Sequence, residues 1–137
     1  MAPRTPSGKQ EEMMSPGQAR TAEAVALVNG QDPMRGIMML REILEEDPKN
    51  VQAHWHLGLF SIQSGQYDKA LDRFRKVLEL DAQGYPDAWV YLGRTYAELD
   101  SIPQAIESLE NYKEVAQDTA ILRGVDHFLE ELRNDKH

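Results

Sequence analysis

The sequence predicts an all-α protein built from three helical hairpins and a final capping helix. The first observation is a repeat: Leu57-Gly58 recurs as Leu92-Gly93, and an alanine follows each pair at the same distance. The second is that apolar residues within each repeat are spaced three and four residues apart, which is typical of one face of a helix. The third is that proline and glycine interrupt this pattern between the predicted helices.

The chain begins with a segment that is rich in Pro, Ser, Gly, Lys and Glu and lacks apolar periodicity. Such a segment buries too little apolar surface to offset the conformational entropy lost on ordering. We therefore expect a flexible amino-terminal tail over residues 1–15. Residues 16–118 are predicted to hold three repeat units, at about 17–50, 51–84 and 86–118, and residues 119–134 the capping helix.

Equivalent positions in the second helices of the three units carry matching residues. They are Leu40, Phe74 and Leu109, then Ile43, Val77 and Tyr112, and then the small residues Gly36, Ala70 and Ala105. Small residues allow two helices to approach closely, and the larger residues nearby fill the remaining space. Each unit is therefore expected to fold as a packed pair of helices.

The breaks between helices carry residues that suit turns and caps. Asp32 and Ser101 each precede a proline in a predicted first turn, and Ser101 with Gln104 has the spacing of a capping box. Gly65 lies at the equivalent turn of the middle unit. After the third unit, apolar side chains share one face of a predicted helix, which would cover the end of a stack of hairpins. They are Leu122, Val125, Phe128, Leu129 and Leu132.

Composition narrows the classes of function. The net charge of −8 disfavours nucleic acid, whose phosphates are bound by clustered Lys and Arg. It favours partners with basic segments, although it equally suits simple solubility. The absence of cysteine excludes disulfides and thiolate sites. No run approaches the ~20 apolar residues that span a bilayer, and the start of the chain lacks the apolar run of a signal peptide. We expect a cytoplasmic chain without direct membrane insertion.

Taken together, these residues resemble the tetratricopeptide repeat, whose pattern is Trp, Leu-Gly and Tyr in the first helix, followed by Gly, Tyr, Ala, Phe, Ala and Pro. The third unit carries Trp89, Leu92, Gly93, Tyr96 and Ala105. The second unit carries Leu57, Gly58, Gly65, Tyr67, Ala70 and Phe74. The first unit matches least, with Ala24, Leu27, Gly36, Leu40, Ile43 and Pro48.

The resemblance implies a right-handed superhelix whose first helices line a concave groove that holds a peptide or a helix of a partner protein. It implies an adaptor or a subunit of a larger assembly. One branch of the family clamps a terminal carboxylate with Lys, Asn and Arg. Here the matching positions carry Thr21, Val25, Asp87 and Tyr91, so this clamp is not expected. Similar repeats occur in bacterial proteins with an additional membrane anchor, so an anchored form stays open.

The first helix of the middle unit has two apolar faces, where a surface helix needs only one. Trp55, Leu59 and Ile62 fall together at about 100° per residue, whereas Leu57 and Phe60 fall nearly opposite. Carrying the first face to the neighbouring units predicts an apolar strip along the groove, with Trp55 as the main anchor. The predicted partner-binding residues are Trp55, Leu59, Ile62, Gln63, Val90, Arg94, Glu98, Val25 and Val28.

Two other interpretations of this strip stay open. A central helix in a stack of hairpins touches neighbours on both sides, so its second apolar face can be core packing. Alternatively, the Pro-rich tail or another copy of the chain occupies the strip, which would give a self-associating structural homo-oligomer that uses the groove for dimerisation.

The sequence offers little for catalysis or metal binding. It contains no Gly-rich phosphate loop, no Gly-x-Ser-x-Gly motif and no His-Glu-x-x-His motif. His54 and His56 would project about 200° apart on a helix, so they cannot hold one ion together. We expect no enzyme activity, no cofactor and no bound metal. The expected partner is a protein or peptide with a basic or apolar segment.

Overall fold

The computed structural model describes residues 14–134, and every regular element within them is an α-helix. The helices are α1 (Pro16–Val28), α2 (Pro33–Glu46), α3 (Val51–Gln63), α4 (Tyr67–Asp81), α5 (Ala88–Glu98), α6 (Ile102–Val115) and α7 (Thr119–Asn134). The predicted all-α class is confirmed. The tail predicted at residues 1–15 lies outside the described residues, except for Met14 and Ser15. Within residues 14–134, no helix combines the length and the apolarity that a membrane span requires.

The chain divides into two compact units, and the division falls between Ala53 and His54, inside α3. The first unit contains the α1–α2 hairpin. Its core consists of buried apolar side chains from both helices, together with Ala53 of α3. These side chains are Ala24, Ile37, Leu40 and Ile43.

Gly36 sets the distance between α1 and α2. A Cβ atom at this position would lie 2.6 Å from the Val28 nitrogen and 2.7 Å from the Ala24 carbonyl oxygen. Both neighbours are backbone atoms, which cannot move aside without separating the helices. The close approach of the two helices therefore requires glycine at this position.

Hydrogen bonds at the two ends of the first unit fix where its helices begin. Ser15 and Gln18 form a capping box at the start of α1. Asn50 precedes α3, and its Oδ1 accepts a hydrogen bond from the Ala53 N–H at 3.0 Å. The Asn50 side-chain amide also donates to the Thr21 hydroxyl at 2.9 Å, which ties the start of α3 to α1.

In the second unit, α3 and α4 pack through a glycine and an aromatic ring. A Cβ atom on Gly58 would lie 2.8 Å from Cζ of Phe74, whose side chain is fully buried. The Phe74 ring is also stacked on Tyr91 of α5, with 5.3 Å between ring centres. Phe74 therefore links three successive helices of this unit.

The turns after α3 and α5 have the same geometry. Gly65 and Asp100 adopt left-handed backbone conformations, with φ of 74° and 56°. Behind them, the Gln66 N–H donates to the Ser61 carbonyl and the Ser101 N–H to the Tyr96 carbonyl, which is the Schellman pattern. The predicted capping box at Ser101 is wrong, because its side chain makes no cap hydrogen bond.

The end of the second unit is a core shared by α6 and α7. Its buried members are Ala105, Leu109, Tyr112, Val125, Leu129 and Leu132. Leu109 reaches back to α5, where a Cβ atom on Gly93 would lie 2.6 Å from Leu109 Cγ. Helix α7 thus buries one face against α6 and leaves a second face beside α5.

Candidate functional site

Helices α5 and α7 form the walls of an open cleft of about 400 Å³ in the second unit. Most of its lining is apolar. The lining residues are Val90 and Arg94 of α5, Leu109 of α6, and Ile121, Gly124, Val125, His127, Phe128 and Glu131 of α7. Leu109 and Val125 are buried, whereas Ile121 and Phe128 are only half-buried. The volume falls within the range of about 300–1,000 Å³ that is typical of ligand sites.

Gly124 leaves open space on the α7 wall of the cleft. A Cβ atom built on Gly124 meets no heavy atom within 4 Å. A larger residue here would place its side chain in the cleft, so glycine keeps this part open. Glycine inside a helix lowers stability by about 0.5–1 kcal/mol relative to alanine. The open space at Gly124 is thus accompanied by a small loss in the stability of α7.

The two walls of the cleft differ in charge. Arg94 is exposed, and its guanidinium carbon lies 5.9 Å from the centre of the Tyr91 ring. No carboxylate within residues 14–134 forms an ion pair with it. On α7, His127 Nε2 lies 3.1 Å from Glu131 Oε1. The Glu131 carboxylate is thus partly engaged, and Arg94 presents an uncompensated positive charge.

Val90 and Arg94, two of the predicted partner-binding residues, lie in this cleft. The others do not line it. Gln63 and Glu98 are exposed at the ends of their helices, and Leu59, Ile62, Val25 and Val28 are half-buried on α3 and α1. Val90 and Arg94 thus share one cleft, and partner contact by the other predicted residues stays a prediction.

Trp55 is half-buried in an aromatic cluster. The centre of its ring lies 5.5 Å from that of Phe74 and 5.3 Å from those of Tyr85 and Tyr91. The pairs with Phe74 and Tyr91 are edge-to-face, and such pairs stabilise a fold beyond the burial of area alone. These contacts support the core-packing interpretation of this side chain. A contact between its exposed part and a partner stays a prediction.

Sequence reasoning assigned α7 only the role of a cover and missed its share of the cleft. The sequence predicts Phe128 on the covering face and does not include Ile121 in it. Both residues lie at the margin of the face that α7 buries, where a side chain can touch the core and the solvent at once. The width of the apolar stripe on α7 could have indicated the cleft, because the stripe is wider than contact with one neighbouring helix requires.

Within residues 14–134, no group of three or more His, Cys, Asp or Glu side chains is arranged to hold a metal ion.

His56 is half-buried on α3, and desolvation lowers its pKa below the usual value. The neutral imidazole is therefore favoured by the fold, and stability is lost as the pH falls below about 6.5.

Comparison with known proteins identifies the family. One model of the tetratricopeptide repeat matches residues 21–85, and a second matches residues 61–125. The chain is 32% identical over 74 residues to anaphase-promoting complex subunit 3 of Dictyostelium discoideum. These residues make up 54% of this chain but only 8% of that relative.

Solved structures show the same fold. MamA AMB-1 has a TM-score of 0.71 at 22% identity, over 88% of this chain and 68% of that one. YrrB, described as a tetratricopeptide repeat protein with an unusual peptide-binding site, has a TM-score of 0.68 at 22% identity, over 88% of this chain and 62% of that one. Because the two family models together cover residues 21–125, the chain belongs to the tetratricopeptide repeat family, whose members are protein–protein interaction modules.

Proposed function

We propose that this chain is a non-catalytic adaptor or complex subunit that binds a short apolar segment of a partner protein in the cleft between α5 and α7. The observation that carries the proposal is the open, mainly apolar cleft at which Gly124 has no neighbouring atom. When a partner buries half-exposed apolar side chains, the free energy of the complex falls by about 25 cal/mol per Å² of apolar surface removed from water.

The comparisons support a peptide or helix as the bound partner. YrrB is described as having a peptide-binding site, and the curated relative is a subunit of a larger complex. Stacked helical repeats use extended surfaces to bind partners. The proposed site includes Val90 and Arg94 on the first helix of the third predicted unit, and the resemblance to the family implies a groove lined by such first helices.

The proposal keeps Trp55 as a secondary contact. Its ring packs against three other aromatic rings, so replacing it by alanine would disturb the fold as well as any binding. Loss of binding in that variant would not distinguish the two effects. A position without packing neighbours gives a cleaner test, and Gly124 is such a position.

The test begins with a phage-displayed library of random peptides selected against the full chain. Dissociation constants of the selected peptides are then measured for the wild type and for Gly124→Leu. The leucine side chain fills the cleft and improves helix propensity, so the fold is retained while we expect affinity to fall at least about tenfold. Gly17→Leu is the matched control. Gly17 is exposed on α1, where a Cβ atom meets only Ser15 Oγ at 3.9 Å, and this variant should bind within about twofold of the wild type.

Equal affinity of the wild type and Gly124→Leu for every selected peptide would rule out the cleft as the binding site. A second copy of the chain is the other candidate occupant. In that case sedimentation at about tens of micromolar, where weak dimers are populated, would show a wild-type dimer that Gly124→Leu converts to a monomer. The proposal of a foreign partner expects a monomer for both proteins.

A further inference from the structure

Tyr112 of α6 carries a hydroxyl group for which the fold supplies no partner. The residue is 1% exposed, and its hydroxyl makes no hydrogen bond within residues 14–134. Yet no fully enclosed side-chain nitrogen or oxygen in the described part of the chain lacks a hydrogen-bond partner. The hydroxyl therefore reaches a surface, although the rest of the side chain is buried. A hydroxyl group that the fold leaves unpaired at a surface is available to exchange hydrogen bonds with a ligand.

The surface that Tyr112 reaches is a second cavity, of about 610 Å³, between the α4–α5 loop and the α6–α7 loop. Its lining is mainly polar. The residues that line it are Gln83, Gly84, Pro86, Asp87, Tyr112, Gln117, Asp118, Thr119 and Ile121. It contains two carboxylates, one from each loop.

Both carboxylates keep at least one oxygen that accepts no hydrogen bond within residues 14–134. Asp87 directly precedes α5, but its side chain makes no cap hydrogen bond. Asp118 accepts hydrogen bonds from the Ala120 and Ile121 N–H groups at 2.9 and 3.1 Å, both through Oδ1, which leaves Oδ2. Burial raises the pKa of the Tyr112 hydroxyl, and the negative charges of Asp87 and Asp118 raise it further, so both carboxylates act on this hydroxyl.

A cationic group with several donors fits this arrangement. Two carboxylates and a phenolic oxygen, which line one cavity, all accept hydrogen bonds. A guanidinium presents five N–H donors in a planar fork and forms strong charge-assisted hydrogen bonds with carboxylates. A metal ion fits less well, because no group of three or more candidate ligand residues is arranged for it within residues 14–134.

We propose that the cavity between the α4–α5 and α6–α7 loops binds an arginine side chain of the partner polypeptide, through Asp87, Asp118 and the Tyr112 hydroxyl. Ile121 lines both this cavity and the apolar cleft, so one bound segment can fill both. In this respect the inference rests on the proposed function, and it adds that the partner carries arginine next to its apolar residues.

The cavity can be tested without a partner. The probe is N-acetylarginine methylamide, titrated into the 15N-labelled full chain and followed by the amide resonances of Asp87, Asp118 and Thr119. We expect saturable shifts with a dissociation constant of about a millimolar, which suits a single side chain. The citrulline analogue has the same shape without the charge and should produce no saturable shift. High salt should weaken the binding of the arginine probe, because it screens the carboxylates.

Two variants identify the binding groups. Asp87→Asn and Tyr112→Phe leave the packing intact. Each should weaken binding of the probe at least about fivefold, because the first removes a negative charge and the second removes an acceptor oxygen. Asp68→Asn, on the exposed surface of α4, changes the net charge as Asp87→Asn does and should bind within about twofold of the wild type. Equal binding of the citrulline analogue would overturn the proposal. So would unchanged binding by Asp87→Asn, or calcium shifting the same resonances more strongly than the arginine probe.

The failure of this inference is distinguishable from failure of the proposed function. If Gly124→Leu abolishes peptide binding while the arginine probe does not bind, the cleft stands and the arginine site is rejected. If the probe binds but Gly124→Leu leaves peptide affinity unchanged, the arginine site stands and the cleft is rejected.

Discussion

The α1–α2 and α5–α6 hairpins have the glycine at their point of closest helix packing on opposite helices. In α1–α2 it is Gly36 on the second helix, where an added Cβ atom would lie 2.6 and 2.7 Å from two backbone atoms of α1 and 2.7 Å from Val28 Cγ2. In α5–α6 it is Gly93 on the first helix, where an added Cβ atom would lie 2.6 and 2.7 Å from Cγ and Cδ2 of the Leu109 side chain. Ala105 of α6 occupies the position equivalent to Gly36 and is tolerated there.

The two hairpins therefore pack their helices through different kinds of contact. The α5–α6 hairpin, which matches the family pattern well, interlocks a side chain with a glycine. The α1–α2 hairpin, which matches it least, brings two backbones together. A repeat that departs from the family pattern is therefore not a loosely packed repeat. Backbone atoms have less freedom to yield than side chains, so we expect the α1–α2 hairpin to be less tolerant of added volume.

The largest effect is expected from Gly36→Ala. Its methyl group would overlap backbone atoms of α1, which forces the helices apart and should lower the free energy of unfolding by about 3 kcal/mol. Guanidinium chloride denaturation followed by circular dichroism measures this. Gly17→Ala is the control and should be neutral or slightly stabilising, because a Cβ atom there has open space. A loss below about 1 kcal/mol for Gly36→Ala would break the comparison.

Gly93→Ala should be less costly, with a loss of about 1–2 kcal/mol. The added methyl group meets the Leu109 side chain, which can change its rotamer, whereas the nearest backbone atom is the Ala105 oxygen at 3.3 Å. The same denaturation experiment measures this, and amide hydrogen exchange in α5 and α6 locates the change. A loss as large as that of Gly36→Ala would show that side-chain and backbone contacts are equally rigid here.

Substitutions at the starts of α3 and α5 should differ less in their effect on stability. Asn50→Ala removes the hydrogen bonds to Ala53 N–H and to the Thr21 hydroxyl, and should cost about 1 kcal/mol. Asp87→Ala, at the start of α5, removes no cap hydrogen bond and should cost less than about 0.5 kcal/mol. Thermal denaturation of both variants tests this pair. The reverse order would mean that Asp87 stabilises α5 in another way.

The smallest effect is expected for Arg20→Gln. Arg20 donates to Glu42 and Glu46 at 2.9 and 2.8 Å, but the two carboxylate side chains are 59% and 72% exposed. Exposed ion pairs contribute about 0–1 kcal/mol, and salt screens them. The difference in melting temperature from the wild type should therefore shrink between low and high salt. A loss near that of Gly36→Ala would show that this ion-pair network, rather than backbone contact, holds the α1–α2 hairpin together.

Periodicity in the sequence predicts the helices well, because each apolar stripe has to face a neighbouring helix. Gly58 and Gly93 could be recognised as close-approach positions from their recurrence. The capping interactions were less predictable. Ser101 and Gln104 have the spacing of a capping box without its hydrogen bonds, whereas the box forms at Ser15, a residue assigned to the tail. Spacing shows that a cap is possible, but the backbone conformation decides whether the side chain reaches the N–H groups of the first turn.

The candidate site was only partly predictable, because its walls come from different helices. Val90 and Arg94 were found by carrying one helix face from repeat to repeat. Ile121 and Gly124 lie on α7, outside the repeats, so no period points to them. Tyr112 was correctly expected at a core position. Nothing in its spacing indicates that Tyr112 lines a cavity with Asp87, because the position of Asp87 depends on how a loop folds.

Gly124 also offers a place from which occupancy of the cleft can be observed. The chain contains no cysteine, so Gly124→Cys would create a single thiol for chemical labelling. Because a side chain at this position has no packing neighbours, a small environment-sensitive dye attached there should leave the fold unchanged. Its emission would then report directly when the cleft is filled, and at what concentration.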